Sequence, residues 1–227
     1  MCHNFVVTTL TAAIQDYAKA LYSLGANDAS VTTNALAGRL GVTPGSASAM
    51  LKRLEGLGLV RHEPYHGARL TEGGERVALE VIRHHRLLEL YLSESLGVSW
   101  DRVHDEAEVL EHVLSEDLEE LIAAKLGHPS RDPHGDPIPT RDGRVPEETT
   151  ARLDELDAGA RGTFVRVSDA DPGVLRLLSE RRIAPGMSVE VLECEPFGGP
   201  LVARFGGGEP LSLGSGLTAA MRVRVEA

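Results

Sequence analysis

His104, Glu108, Glu111 and His112 recur within VHDEAEVLEHVLSED at offsets that an α-helix gathers onto one face. His85 and Glu89, in RHHRLLE, repeat the i, i+4 spacing. Imidazoles and carboxylates one turn apart bring their head groups together, so each set can share a divalent cation through nitrogen and oxygen donors. A single His/Glu pair is more often a solvated face. Two sets on adjacent helices, interrupted by apolar positions that must pack, favour metal binding instead. His84 falls off the stripe and is expected at the surface. His3, His62, His66, His128 and His134 lack such partners and receive no metal role.

A catalytic metal needs an open coordination position with a base or nucleophile beside it. HExxH, GxSxG and a P-loop are all absent, and no such group accompanies the ligands, so no enzyme is expected. The glycine clusters Phe197-Gly198-Gly199-Pro200 and Gly206-Gly207-Gly208 lie between strand-like segments and read as turns, not phosphate cradles. Cys2 and Cys194 are far apart without CxxC spacing, which argues against a disulfide framework or a thiolate zinc site.

The elements that must position these residues follow from periodicity. LTAAIQDYAKALYSL places Leu10, Ile14, Tyr17, Ala18, Leu21 and Leu24 on one stripe, ended by Gly25 and Asn27. A short helix capped by Thr33 or Asn34 runs through Leu40, and Gly41 turns the chain. Thr43 then caps a helix with Pro44 at its first position, spanning Pro44 to Gly56. Its Ala47, Met50, Leu51 and Leu54 point inward, and Ser46, Ser48, Lys52 and Arg53 outward. With the hairpin LVRHEPYHGARL behind it, this is a winged helix-turn-helix.

A long helix from Gly74 to Leu96 follows, then one from Ser99 or Asp101 to Val113 or Leu114. Ser115 caps a third, through Leu126. The proline-rich GHPSRDPHGDPIPTRDGRVPEE reads as an arm or linker. Beyond it the period changes to two (TFVRVSD, MSVEVLECE, LVARF, MRVRVEA) around a helix at Pro172–Glu180, which makes a small β-barrel. The fold class is mainly α. The expected domains are a DNA-binding unit at 1–75, a helical metal-binding and dimerisation unit with its arm at 76–145, a linker at 146–158 and an SH3-like (FeoA-like) barrel at 159–227.

The net charge of -11 opposes non-specific nucleic-acid binding, yet it is unevenly spread. Residues 1–75 are balanced, whereas 76–127 hold five basic and twelve acidic side chains. Aromatics are only 4%, too few for stacking platforms on single strands. No apolar run approaches the ~20 residues that span a bilayer. MCHNFVVTTLTAA makes a poor signal peptide, so a cytoplasmic location without membrane association is expected.

The winged helix, RHHRLLE-x-YL, VHDEAEVLEHVLSED, the RDPHGDPIP arm and the C-terminal barrel together resemble the diphtheria toxin repressor family of metal-dependent transcriptional regulators, over the whole chain. The resemblance implies a first metal site at Asp16, Glu108, Glu111 and His112. It implies a second at His85, Glu89 and His104, helped by a barrel carboxylate, Asp171 or Asp169. Iron-sensing members carry Met at the position of Asp16 and Cys at that of Glu108, whereas manganese-sensing members carry both carboxylates, as here. Hard carboxylates suit Mn(II). Lys19 stands where manganese regulators lacking the barrel carry Glu, which implies two separated ions per subunit rather than a closely bridged pair.

The expected protein is thus a Mn(II)-activated homodimer that represses manganese-uptake genes from palindromic double-stranded operators, with no small-molecule substrate. Fe(II), Co(II) or Zn(II) are possible substitutes. Thr43, Ser46, Ser48, Lys52 and Arg53 are the candidate DNA contacts, with wing residues His66 or Arg69 on the backbone. Two alternatives stand beside this reading: an iron-responsive repressor of the same family, and a metal-independent winged-helix regulator whose His/Glu block is only surface.

Overall fold

A computed structural model describes residues 10–25, 30–63, 66–146, 148–196 and 199–226. Asn27, Cys2, His3 and the Phe197-Gly198 part of one glycine cluster lie outside these residues. The chain forms two compact units.

The first unit comprises residues up to His85 together with Glu111–Leu114 and Pro139–Arg144. Helix α1 (Ala12–Leu24) buries Ile14, Tyr17, Ala18 and Leu21 of the expected stripe, whereas Leu10 is partly buried and Leu24 is exposed. Helix α2 (Thr33–Leu40) is capped by Thr32, whose Oγ1 accepts from the Ala35 amide, one residue earlier than the sequence suggests. Gly41 ends α2 at φ 64°, a left-handed conformation that glycine adopts without a Cβ penalty. Helix α3 (Pro44–Gly56) matches the expected bounds and buries Ala47, Leu51 and Leu54. Met50 is only partly buried.

Strands β1 (Val60–Glu63) and β2 (Gly67–Leu70) pair antiparallel from Val60↔Leu70 to Glu63↔Gly67, which forms the wing. Val31 joins them through a bridge to Ala68. One core of Ile14, Leu21, Leu36, Leu51, Leu54, Leu59, Val60 and Val77 unites these elements.

Helix α4 (Glu72–Leu96) belongs to the first unit through His85 and to the second from Arg86. The second unit continues with α5 (Val103–Leu110) and α6 (Glu116–Lys125). Helix α5 is shorter than its His/Glu periodicity suggests, because Glu111, His112 and Val113 leave the helix in a turn. Ser115 caps α6 as expected, accepting from the Leu118 amide.

The C-terminal sheet has the order β3-β8-β4-β5-β6-β7, antiparallel throughout. Its strands are β3 (Ala151–Arg152), β4 (Arg161–Val167), β5 (Ser188–Cys194), β6 (Leu201–Phe205), β7 (Leu211–Leu213) and β8 (Met221–Val225), with helices α7 (Pro172–Glu180) and α8 (Ser215–Ala220). β3 recruits residues from the segment expected to be a linker, and the neighbouring Leu153 is fully buried in the sheet's core beside Phe164, Val167, Leu178 and Met221.

The proline-rich arm is not loose. Asp132 Oδ1 accepts from the amides of His134 (2.9 Å) and Asp136 (2.8 Å), and the Val167 amide donates to the His134 carbonyl at 2.9 Å. Gly135, at φ 88°, lies so close to β4 that a Cβ there would meet the Val165 carbonyl oxygen at 1.9 Å.

Candidate metal centres

In the first unit, α1 carries Asp16 to the turn that holds Glu111 and His112. His112 Nε2 lies 2.9 Å from Asp16 Oδ1 and 3.6 Å from Glu111 Oε1, and ligand atoms of all three gather within 4.8 Å of one another. The other ring nitrogen is committed. His112 Nδ1 donates to Gln15 Oε1 at 2.6 Å, and Gln15 is itself only 3% exposed. That hydrogen bond fixes the ring and leaves Nε2 as the ligand atom. Sequence reasoning missed Gln15, because a glutamine beside an apolar stripe carries no signal of its own.

Glu111 is the most enclosed of the three, at 1% exposure. Lys19, one turn after Asp16 on α1, donates to both of its oxygens, at 3.0 and 2.8 Å. His85 Nδ1 lies 2.5 Å from Glu111 Oε2 and 3.3 Å from Lys19 Nζ. His85, expected in the second set, is thus oriented through Nδ1 by a residue expected in the first. Any ligand role for it rests on Nε2. His84 is 3% exposed, with Nδ1 on the Glu111 carbonyl oxygen at 3.2 Å. It is buried, not the surface residue the stripe suggested, because both faces of α4 pack.

The second unit brings together Glu89 from α4, His104 from α5, His134 from the arm and Asp169 from the loop after β4. His104 Nδ1 lies 3.1 Å from Glu89 Oε1 and 3.2 Å from Asp169 Oδ2. Asp169 first and then Glu89 hold its pKa up to about 10. Glu108 also lies in this unit, its Oε1 3.7 Å from His104 Nε2.

His134 had been given no metal role, yet it is 1% exposed and its Nδ1 faces Glu89 Oε2 at 3.8 Å. Its Nε2 donates to the Trp100 carbonyl at 2.8 Å, and Trp100 stacks on the ring. Burial alone would lower the His134 pKa, but the Glu89 and Asp132 carboxylates carry it up to about 9. Asp169 is pulled below the usual carboxylate range, because His104 outweighs the opposing effect of burial. Asp132 is driven well above that range by burial, then by Asp136 and Glu89.

Asp171, one of the two barrel carboxylates considered, is turned elsewhere. It caps α7, accepting from the Gly173 amide at 2.8 Å. The carboxylate beside the histidines is Asp169.

Both clusters fit a divalent first-row cation, with mixed imidazole and carboxylate donors and no thiolate. A buried imidazole nitrogen without a hydrogen-bond partner, aimed at a carboxylate, is the arrangement a shared cation satisfies. Glu89, His134 and Asp169 place ligand atoms within 4.8 Å of one another.

On α3, Lys52 and Arg53 are exposed and Ser48 is half-buried. Thr43 and Ser46 are exposed but engaged with each other: Thr43 Oγ1 accepts from the Ser46 amide at 3.2 Å, and the two hydroxyls are 2.9 Å apart. No helix among the described residues is long and apolar enough to cross a membrane.

Three family models match. The iron dependent repressor N-terminal DNA binding domain covers residues 9–68, the iron dependent repressor metal binding and dimerisation domain 71–140, and the FeoA domain 151–226. Among curated proteins, the iron-dependent repressor IdeR of Mycobacterium tuberculosis is 32% identical over 195 residues, covering 81% of this chain and 84% of that protein. The diphtheria toxin repressor of Corynebacterium glutamicum is 32% identical over 145 residues, 64% of this chain and 62% of that one.

Among solved structures, a manganese-dependent transcriptional repressor in complex with manganese is 42% identical, with a TM-score of 0.86 over 94% of this chain and all of that one. The manganese regulator SloR is 28% identical, with a TM-score of 0.74 over 96% of this chain and all of that one. Along this chain the three models place a DNA-binding head, a metal-binding and dimerisation segment and a FeoA domain, in that order. The chain therefore belongs to the diphtheria toxin repressor (iron-dependent repressor) family, and it is a metal-dependent transcriptional repressor, not an enzyme.

Proposed function

We propose that the chain is a cytoplasmic, homodimeric, Mn(II)-activated repressor that binds palindromic double-stranded operators of manganese-uptake genes. The observation that carries this reading is the convergence of Asp16 with Glu111 and His112. Asp16 lies on the first helix of the DNA-binding head, and the other two follow α5. A divalent ion bound there supplies the positive charge that holds both to one geometry. Asp16 and Glu111 offer hard oxygens, Gln15 orients His112, and the resemblance adds Glu108 to the set. Such a donor set suits Mn(II), and the manganese-bound relative at 42% identity supports the choice.

Glu89, His104, His134 and Asp169 form the second proposed set, with His85 retained from the resemblance through Nε2 and Asp171 set aside. Fixing α1 fixes the helix-turn-helix packed on it, so metal and operator favour the same conformation. By linkage each then strengthens the other's binding by the same factor. Helix α3 presents Lys52 and Arg53 to phosphates and Ser48 to the groove, while Thr43 and Ser46 hold its N-terminus.

The iron-dependent repressors at 32% identity favour Fe(II) as the second reading. Operator affinity across anaerobic series of buffered Mn(II) and Fe(II) decides between them. Activation by Mn(II) at cellular free concentrations, and not by Fe(II) at its own, supports the manganese reading; the reverse order overturns it. Loss of activation by both ions in His112→Ala, with dimer and fold retained, supports the first centre.

A further inference from the structure

Lys19 is part of no donor set, yet its ammonium sits inside the first centre. It is held by both oxygens of Glu111 at 3.0 and 2.8 Å, and it lies 3.3 Å from the His85 Nδ1 that approaches the same carboxylate. The Lys19 side chain is 17% exposed and that of Glu111 not at all. The carboxylate most enclosed in the protein part of the centre thus already has a cation, covalently tethered to α1 and always present.

We propose that Lys19 is a resident cation that a metal ion must outcompete for Glu111, so that this residue sets the free metal concentration at which the first centre fills. The proposal rests on the assignment of Asp16, Glu111 and His112 as that centre.

Two physical effects act in the same direction. A lone pair of Glu111 that accepts the ammonium is not available to a metal, so ligation requires the ion pair to loosen. A fixed positive charge within a few ångströms of a divalent ion also repels it, and in a half-buried site water screens that repulsion poorly. The contact has a further consequence for the metal-free protein. Lys19 and Asp16 are on the same helix, one turn apart, so the ammonium ties α1 to Glu111 where Asp16 and Glu111 would otherwise repel. The metal-free centre is therefore held together, and a metal exchanges one tether for a stronger one instead of closing an open gap.

The test is Mn(II) binding to the 227-residue chain, followed by the electron paramagnetic resonance signal of free Mn(II), in wild type, Lys19→Met, Lys19→Gln, Lys19→Arg and His112→Ala. The binding phase that His112→Ala removes is that of the first centre. If that variant keeps every phase, the assignment of the centre itself is wrong. With the phase identified, Lys19→Met and Lys19→Gln should fill it at roughly tenfold lower free Mn(II), the equivalent of one charge-assisted contact no longer displaced. Lys19→Arg, which keeps the charge, should stay within about twofold of wild type.

Thermal unfolding gives a readout independent of loading. The metal-free neutral variants should melt below metal-free wild type, since Glu111 keeps His85 but loses its ammonium partner, and should gain more from saturating Mn(II). An unshifted or weakened phase in both neutral variants, with His112→Ala still losing it, overturns the competition while leaving the centre standing.

Discussion

His134 presents Nδ1 to Glu89 Oε2 across 3.8 Å, a separation too long for a hydrogen bond, while its Nε2 is committed to the Trp100 carbonyl. Two ligand atoms of one coordination shell stand about 3 to 4 Å apart when each is ~2.1–2.2 Å from the ion. A residue without a sequence signal thus has a separation that fits a shared ion. His134→Ala is expected to weaken the second centre by more than about tenfold, since even residues that merely orient a ligand cost 10–100-fold. Equilibrium dialysis against buffered Mn(II) checks this. Retention of both ions at wild-type affinity would remove His134 from the set.

Trp100, the single tryptophan, supplies a probe of that centre alone. Its ring stacks on His134 at a centroid distance of 5.8 Å with 21° between planes. A paramagnetic ion one ring away quenches indole emission. Mn(II) should therefore reduce the fluorescence with the same midpoint in wild type and His112→Ala, and with a midpoint more than about tenfold higher in His134→Ala. An unshifted midpoint in His134→Ala would mean that the indole senses some other event.

Gln15 offers a test of how His112 is aimed. Gln15→Leu deletes the acceptor of the Nδ1–H bond and should raise the Mn(II) midpoint of the first centre about 10–100-fold, the usual cost of losing such a support. Gln15→Glu keeps an acceptor in place and should restore binding to wild type or better. A Leu variant with an unchanged midpoint, or a Glu variant as weak as Leu, would show that Gln15 only fills space.

Helix α3 separates capping from DNA contact. Thr43→Ala removes the side chain that accepts from the Ser46 amide and should cost ~1 kcal/mol of stability, read by urea unfolding. Lys52→Ala should leave stability within about 0.5 kcal/mol but lower operator affinity, and it should reduce the slope of log affinity against log salt by about 0.9 per protomer, about 1.8 for the dimer. An unchanged salt slope would take Lys52 off the phosphates.

What the sequence made legible follows the range of each signal. Helix α3 was recovered end to end because its boundaries are local: Thr43 and Pro44 start it, and Gly58, at φ 72°, ends it just past the cap residue Leu57. Spacing marked Glu111 and His112 as ligands, but not by the geometry it assumed: they lie in a turn just past α5, and tertiary packing brings Asp16 to them. His134 was missed for the opposite reason. Its burial depends on the Val167 amide, Glu89 and Trp100, all 33 or more residues away, and a proline-rich arm looks the same in sequence whether it is pinned or free. Asp169 and Asp171 could not be separated by type. The signal that separates them is positional: Asp171 directly precedes Pro172, the expected helix start, and it caps α7.

The pinning of the arm to β4 also bears on how such a protein can change by descent. Gly135 accepts no side chain against Val165, and the His134 carbonyl is bound by Val167, so the arm's histidine and the strand's carboxyl-terminal neighbour Asp169 are inherited as one piece. A premature stop ahead of β4 would erase the second centre twice over, removing Asp169 outright and unseating His134. Asp16, Glu111 and His112 all precede such a break. A chain shortened in this way would keep the first proposed set of ligands and lose the second.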